Sequence, residues 1–355
     1  MKTEPRVGII GSGFMGTAHA RAARLAGARV VGVAASTPEH SKEAAVRLDA
    51  DRGFDSPEAL LLDPEIDVVH VCVPNVLHLP FARLALAEGK HVICEKPLAT
   101  DLEGARALVA ALEEAGTIGT LPFVYRFHPM ARVMRSRVVA GDLGSAHLAH
   151  GTYLQDWLSS SDDDDWRVDR AQGGASRAFA DIGSHWFDLM EFVLHDRVAR
   201  LSAKFARAFD ARPTEDTALV QFETERGVVG SVVVSQVAPG RKNALVLEIS
   251  GGNASARFDQ ERPDQLWVGR REAATVLWPD PAFVSDSVAR HVLVPPGHPQ
   301  GYLDCVDRFV SDTYAAIDGQ APDGLPTFID GLRSASIVDA ALRSAASNTW
   351  TEVEP

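Results

Sequence analysis

The nine residues "GIIGSGFMG" constrain this chain more than any other stretch. They close the apolar run "RVGII" and lead into helical spacing, so Gly11, Gly13 and Gly16 make a GxGxxG turn between a strand and a helix. In that setting Gly11 permits the tight turn, Gly13 lets backbone approach a pyrophosphate, and Gly16 allows helix and strand to pack closely. Ser12, Phe14 and Met15 complete the loop, whose free N–H groups face an anion at the helix N-terminus. A lone GxGxxG is a weak signal, and a ligand-free glycine turn is the bland alternative.

The context strengthens the dinucleotide reading. "ARVVGVA", "DVVHVCV" and "HVICE" are nearly continuous in apolar residues, as buried parallel strands are. Residues 14–27, 38–50, 76–89 and 101–116 between them carry helical spacing, with Asn75 and Asp101 placed as N-caps. This alternation predicts an α/β domain, a Rossmann-type doubly wound parallel sheet, with "TIGTLPF" as a further strand. Beyond residue 125 the pattern changes. Strands are expected at 146–156, 198–208, 216–224, 227–237 and 244–250, with shorter ones to about 278. Turns such as "ERG" and "SGGN" predict hairpins in a large, mostly antiparallel, open-faced sheet. Helical patterns recur at 129–140, 182–194, 301–316 and 327–346. The expected division is a dinucleotide-binding domain over 1–123 and an α+β domain over 124–355 for substrate binding and oligomerisation. Its C-terminal helices are free to pack back on the first domain. Two domains suit 355 residues.

A net charge of −13 repels phosphate backbones and anionic lipid, so neither nucleic acid nor membrane is an expected partner. The three cysteines are far apart and suit neither a disulfide framework nor a zinc cluster, which leaves buried reduced thiols and no metal. The N-terminus lacks a signal-peptide apolar core, and no apolar run reaches the roughly 18 residues of a membrane span. A cytoplasmic protein is expected.

Two further stretches carry chemistry. "VICEKPLAT" sets Glu95, Lys96 and Pro97 directly after a strand. A residue before proline is pushed out of the helical region, which holds Lys96 extended at the sheet edge where ligands of α/β folds bind. A surface Glu–Lys pair is the alternative. In "ADIGSHWFDLMEF", Asp181 and His185 are four apart and share one face of a helix, and Asp188 continues the stripe. A carboxylate beside an imidazole can handle protons; a structural pair is as open a reading, and a metal site lacks a third ligand.

Coenzyme choice stays open on the residues. The second strand ends in "VAASTPEH", and the position about 20 residues past the glycines, where an acid normally holds the ribose, falls near Ala35. Ser36 and Thr37 can bond a 2′-hydroxyl or a 2′-phosphate, with His40 and Lys42 as distant cations. The reading is NAD or NADP, leaning to NAD.

The glycine turn, "PN" with His78 after the third strand, "EKP" at 95–97, "YRFHP" at 125–129 and "DIGSH" at 181–185 occur in an order that resembles the Gfo/Idh/MocA oxidoreductases. Glucose–fructose oxidoreductase and inositol dehydrogenases belong to that family. The resemblance covers nearly the whole length. It implies hydride transfer between NAD(P) and a secondary hydroxyl or ketone of a sugar, cyclitol or related polyol. Lys96 would polarise the reacting oxygen, His185 would take the hydroxyl proton, and Asp181 would orient His185 or bond a neighbouring hydroxyl. Val73, Pro74, Asn75, His78, Glu95 and Lys96 would join the glycine loop in holding the cofactor, as would Trp166 and Arg167 of a "WR" pair. In "YLQDWLSSSDDDDWRV", Trp157 offers a flat face to a sugar, and Gln155, Asp156 and Arg126 offer hydroxyl partners. Arg177 either enters the pocket or caps a loop. Residues 162–165 read as a solvated loop, and His19 and His128 as structural. The resemblance also implies a homodimer or homotetramer formed through the open sheet face. Two other functions remain in play: an NAD-dependent glycoside hydrolase of the same fold and a non-catalytic dinucleotide-sensing regulator.

Overall fold

The computed structural model describes residues 4–354. They form two compact units: the described residues up to Val124 with Tyr302–Leu332, and Tyr125–Gly301 with the described residues from Arg333 on.

The first unit is built on a six-stranded parallel sheet of β1 (Arg6–Ile10), β2 (Arg29–Ala34), β3 (Arg52–Gly53), β4 (Val68–Val71), β5 (His91–Cys94) and β6 (Gly119–Thr120), in the order β3-β2-β1-β4-β5-β6. The helices that follow these strands are α1 (Phe14–Leu25), α2 (Pro38–Arg47), α3 (Pro57–Leu61), α4 (His78–Ala87) and α5 (Leu102–Ala115). Val7, Ile9, Val33, Val69, Val71, Val92 and Ile93 are fully buried, as a sheet covered on both faces requires. The chain leaves β1 toward β2 and leaves β4 toward β5 on the other side. The ends of β1 and β4 therefore flank the switch point where such folds hold ligands.

Asp101 caps α5 by accepting from Gly104 N–H at 2.8 Å. Asn75 does not cap α4 as expected. It opens a 3-10 turn, Asn75–Leu77, in which the Leu77 N–H is satisfied by the Pro74 carbonyl at 2.9 Å, and α4 starts without a side-chain cap. "TIGTLPF" shrinks to the two residues of β6 because Leu121 N–H turns to the Pro326 carbonyl and Thr120 bridges Thr327. The segment Tyr302–Leu332, which lies past residue 124 among the C-terminal helices left free to pack back, belongs to this first unit. Its helix Tyr302–Ile317 lies on α1, where Asp307 pairs with Arg21 at 2.7 Å.

The second unit carries nine strands: β7 (Ala146–Leu154), β8 (Val198–Ala206), β9 (Thr217–Thr224), β10 (Val229–Ser235), β11 (Ala244–Gly251), β12 (Ser255–Asp259), β13 (Leu266–Gly269), β14 (Ala274–Leu277) and β15 (Thr351–Glu352). Their order is β14-β13-β12-β11-β7-β10-β9-β8-β15. Every neighbouring pair is antiparallel except β7 and β10. That pair is parallel because the β9–β10 hairpin delivers β10 to the edge of β7 after a long excursion. The helix Ser184–Leu194 packs on one face through Trp186 and Phe187, which stack edge-on with Phe222 at 5.8 and 5.4 Å. The opposite face leaves Leu219, Val229, Val233, Trp267 and Val276 exposed. Among the described residues no helix is long and apolar enough to cross a membrane.

Candidate active site

The glycine loop has the geometry of a cradle. Gly11 sits at φ +99°, and a Cβ there would meet the Cys72 carbonyl oxygen at 2.0 Å; a Cβ on Gly16 would meet the Gly11 oxygen at the same distance. Gly13 differs, since a Cβ there would meet nothing within 4 Å. Helix α1 opens with Phe14 and Met15, has no side-chain cap and no acidic residue in its first turn, so its N-terminal field is available to an anion. Arg47, at the far end of α2, donates to the Ser12 carbonyl at 2.7 Å and to Thr17 Oγ1 at 3.2 Å. Sequence reasoning missed this cation, because its 31-residue distance from Gly16 matches no motif. An open second glycine, an uncapped helix and a neighbouring guanidinium fit a pyrophosphate. At the end of β2, Ser36 Oγ meets His40 Nδ1 at 3.0 Å, while Thr37 caps α2 through His40 N–H. Val73 and Pro74 follow β4 beside Gly11.

Lys96 follows β5, and the Lys96–Pro97 peptide is cis. Its two chain neighbours are anchored inward. Glu95 Oε1 accepts from His19 Nε2 at 3.0 Å, and Glu95 Oε2 accepts from the Lys96 N–H at 3.3 Å. His19 Nδ1 meets His70 Nδ1 at 3.0 Å, and His70 Nε2 meets the Tyr314 hydroxyl at 3.0 Å. Burial works against a charged His19, but the adjoining Cys72 and Glu95 outweigh it and push the imidazole up to about 10. Burial disfavours the Glu95 carboxylate too, yet the His19 hydrogen bond and charge bring it below its usual range. Burial and the His19 charge together hold His70 well below normal. His19 thus links a buried carboxylate to a neutral imidazole. On the other side, the two nitrogens of buried His78 face the carbonyls of Pro97 (2.7 Å) and Val73 (2.9 Å). Glu95 and His78, both expected to contact cofactor, thus have these polar atoms engaged within the protein.

In the second unit Asp181 lies in a π-helical turn, Phe179–Gly183, and His185 is the second residue of the α-helix Ser184–Leu194. The α-helical stripe expected from spacing is thus interrupted between them. Glu215 holds this turn: its Oε1 accepts from Ser176 Oγ at 2.7 Å and from the N–H groups of Arg177 and Phe179 at 2.8 and 3.1 Å. Burial pushes the Glu215 carboxyl up, and these three donors oppose the rise. Asp188 does not continue an Asp181–His185 stripe functionally. It receives both Nε (2.8 Å) and Nη2 of Arg126 in a buried pair, and that guanidinium also lies 5.2 Å over Phe192. Arg126, expected to meet substrate, is held in this pair through Nε and Nη2.

Around Asp181 the sequence candidates join residues it did not reveal. Gln236 Nε2 donates to Asp181 Oδ2 at 2.8 Å and to Gln155 Oε1 at 3.2 Å, while its Oε1 accepts from Arg177 Nη2 at 2.9 Å. The Arg177 guanidinium lies 4.6 Å over Trp157, and Trp157 Nε1 donates to Gln155 at 2.8 Å. Gln155 Nε2 donates to Asn243 Oδ1 at 2.9 Å, as does the Tyr153 hydroxyl at 2.8 Å. Tyr153 meets the Tyr125 hydroxyl at 2.5 Å, and the Tyr125 ring stands edge-on to His185 with centroids 5.0 Å apart. Gln155, Trp157, Arg177, Asp181 and His185 are thereby brought into one polar cluster with Tyr125, Tyr153, Gln236 and Asn243. Asp156 turns away to Lys242 at 2.7 Å. Arg167 stacks 4.3 Å over Trp166 and bonds Asp165. Among the described residues, no group of three or more His, Cys, Asp or Glu side chains is placed to hold a metal ion.

Comparison with known proteins places this geometry. Residues 5–122 match the family model "Oxidoreductase family, NAD-binding Rossmann fold", and residues 131–257 match the GFO/IDH/MocA C-terminal domain. A levoglucosan dehydrogenase of Pseudarthrobacter phenanthrenivorans is 30% identical across 98% of this chain and 97% of its own. An inositol 2-dehydrogenase of Paracoccus denitrificans is 31% identical over 77% of this chain and 78% of its own. Among solved structures, a levoglucosan dehydrogenase complexed with NADH and levoglucosan superposes with TM-score 0.92 at 29% identity, covering 99% of this chain and 100% of the other. An inositol dehydrogenase homologue from Azotobacter vinelandii, complexed with NAD+, gives 0.93 at 25% identity, covering 99% and 98%.

Proposed function

The chain belongs to the Gfo/Idh/MocA family of NAD-binding oxidoreductases, and from that premise we propose that it is an NAD-dependent dehydrogenase of a secondary hydroxyl on a sugar, anhydrosugar or cyclitol. The observation that carries this reading is the hydrogen-bonded cluster of Asp181, Gln236, Gln155 and Asn243 with His185 beside Tyr125. Dense amide and carboxylate groups next to the Trp157 face suit a neutral polyhydroxylated ring, which needs many directional partners and an apolar plate. The preference for NAD rests on the NADH and NAD+ bound in the relatives' structures.

The nicotinamide, when bound, supplies the hydride acceptor. Gly13 and the α1 N-terminus would hold the dinucleotide's phosphates, with Arg47 adding positive charge. His185 takes the hydroxyl proton, and Lys96 stabilises the charge that develops on the reacting oxygen. Asp181, fixed by Gln236, bonds the substrate or steadies the imidazole. The family resemblance supports a homo-oligomer formed through the exposed face of the second sheet. The three unbridged thiols support a reducing, cytoplasmic setting.

A panel of levoglucosan, other anhydrosugars, free sugars and inositols, each with NAD and with NADP, tests the reading by absorbance of the reduced nicotinamide. NADH appearance with at least one member is expected. Lys96→Met and His185→Asn should each lower kcat by about 10²–10⁴ with NADH binding intact. No turnover across the panel, or near-normal rates in both variants, would sink the assignment.

A further inference from the structure

Lys96 stands between two residues that are each tied to a buried histidine, Glu95 to His19 and Pro97 to His78. We infer that His19, Glu95 and His78 are positioning residues that fix the Lys96 backbone relative to the cofactor cradle. The inference rests on the reading of Lys96 as the catalytic lysine.

Three loops leave the C-terminal edge of the first sheet at the switch point, after β1, β4 and β5. Each of the two histidines ties one of the first two to the third. His19 is carried by α1, the helix that the glycine loop starts, and its Nε2 reaches Glu95 beyond β5. His78 sits between the Val73 carbonyl after β4 and the Pro97 carbonyl beyond β5, one ring nitrogen facing each; burial keeps the ring toward its neutral form, which donates to one of the two and packs against the other. The pyrophosphate loop and the lysine loop are thereby linked through side chains that are themselves fully buried. Glu95 completes the link through Oε2, which accepts from the N–H of Lys96 itself.

Stability alone gives little reason for this arrangement. A buried ion pair is commonly no more stable than apolar residues of the same volume, so His19 and Glu95 contribute more to geometry than to folding. Geometry matters here because a reacting group displaced by about 1 Å can lose on the order of 10²-fold in rate. Lys96 has a long flexible stem, and its amine can be held in place only if the backbone that carries it is held first.

The test uses the full-length enzyme and the best substrate of the panel. Glu95→Gln keeps the shape and removes the charge; His19→Phe and His78→Phe remove each tether. In each variant kcat should fall tenfold or more, while KM for NAD and NADH affinity, read by fluorescence, stay within twofold. In a Lys96→Met background, adding Glu95→Gln should change the residual rate less than twofold, because the group being positioned is gone. Equal losses in both backgrounds, or wild-type kcat in Glu95→Gln, would overturn the inference. If His19→Phe fails to fold, Glu95→Gln carries the test alone. A slow Lys96→Met enzyme with a normal Glu95→Gln enzyme defeats this inference only. A normal Lys96→Met enzyme, or no wild-type turnover on the panel, defeats the catalytic reading and this one with it.

Discussion

His128 shows how a single side chain can set the acid limit of the fold. Its ring is buried, stacks on Tyr125 at 5.9 Å and leans on Phe258 at 5.5 Å, and neither nitrogen has a hydrogen-bond partner. Burial lowers its pKa from 6.5 to about 4. Below pH 6.5 the unfolded chain binds a proton at this ring and the folded chain does not, so stability falls as pH drops from about 6.5 to about 4. The full contribution, lost below that window, is about 3 kcal/mol. His128→Phe keeps the stacked ring and removes the titration. Urea melts at pH 7 and pH 4.5 should show the wild type losing more stability than the variant across that interval; parallel losses would refute the account. The sequence suggested a structural His128. Arg126 and Glu95 were less legible. Their partners, Asp188 and His19, lie 62 and 76 residues away, and nothing local in the sequence says which way a long charged side chain will turn. Gln236 is the extreme case: one polar residue after "VVVS" that meets Asp181, Gln155 and Arg177 at once.

At the scale of the element, the glycine turn separates two kinds of constraint that a motif merges. Gly16 is required by the fold, because any Cβ would strike the Gly11 carbonyl. Gly13 is free of the fold, because a Cβ there meets only open space. Gly16→Ala should therefore destabilise the protein by several kcal/mol, read as a large drop in Tm. Gly13→Ala should leave Tm within about 2 °C and weaken NADH binding at least tenfold, read by fluorescence titration. Equal effects of both substitutions on Tm would show that the two glycines do not divide the work. Strand and helix positions were legible because periods of 2 and 3.6 survive in the apolar pattern, and the cap at Asp101 follows from side-chain chemistry; Thr37, read only as a ribose contact, also caps α2. The π turn at Phe179–Gly183 was not, since its extra residue depends on Glu215 holding the N–H groups of Arg177 and Phe179 from another strand's approach. The parallel pairing of β7 with β10 was equally hidden, because alternation specifies faces but not neighbours.

For the molecule as a whole, the nine-stranded sheet poses the largest unanswered demand. Helix Ser184–Leu194 covers one face, while Leu219 and Val233, directly opposed across β9 and β10, stand 49% and 39% exposed on the other. Val229 on β10 is exposed on the same face, as are Trp267 on β13 and Val276 on β14 beyond the polar His150, Glu248, Arg257 and Asp259 of the strands between. Apolar side chains gain roughly 25 cal/mol per Å² on leaving water, and specific protein–protein contacts bury on the order of 1,600 Å². A sheet this wide has the area for such a contact, and a second copy of the same face would meet it by two-fold symmetry. Sedimentation at micromolar concentration should accordingly give a dimer or tetramer. Charges placed on the β9–β10 part of this face, in Val233→Lys with Leu219→Lys, should shift it to monomer while the far-ultraviolet circular dichroism stays native. These two residues face away from the helix-covered side, so their substitution tests association without disturbing the core. A wild-type monomer, or a variant that remains fully assembled, would mean that association does not use this face.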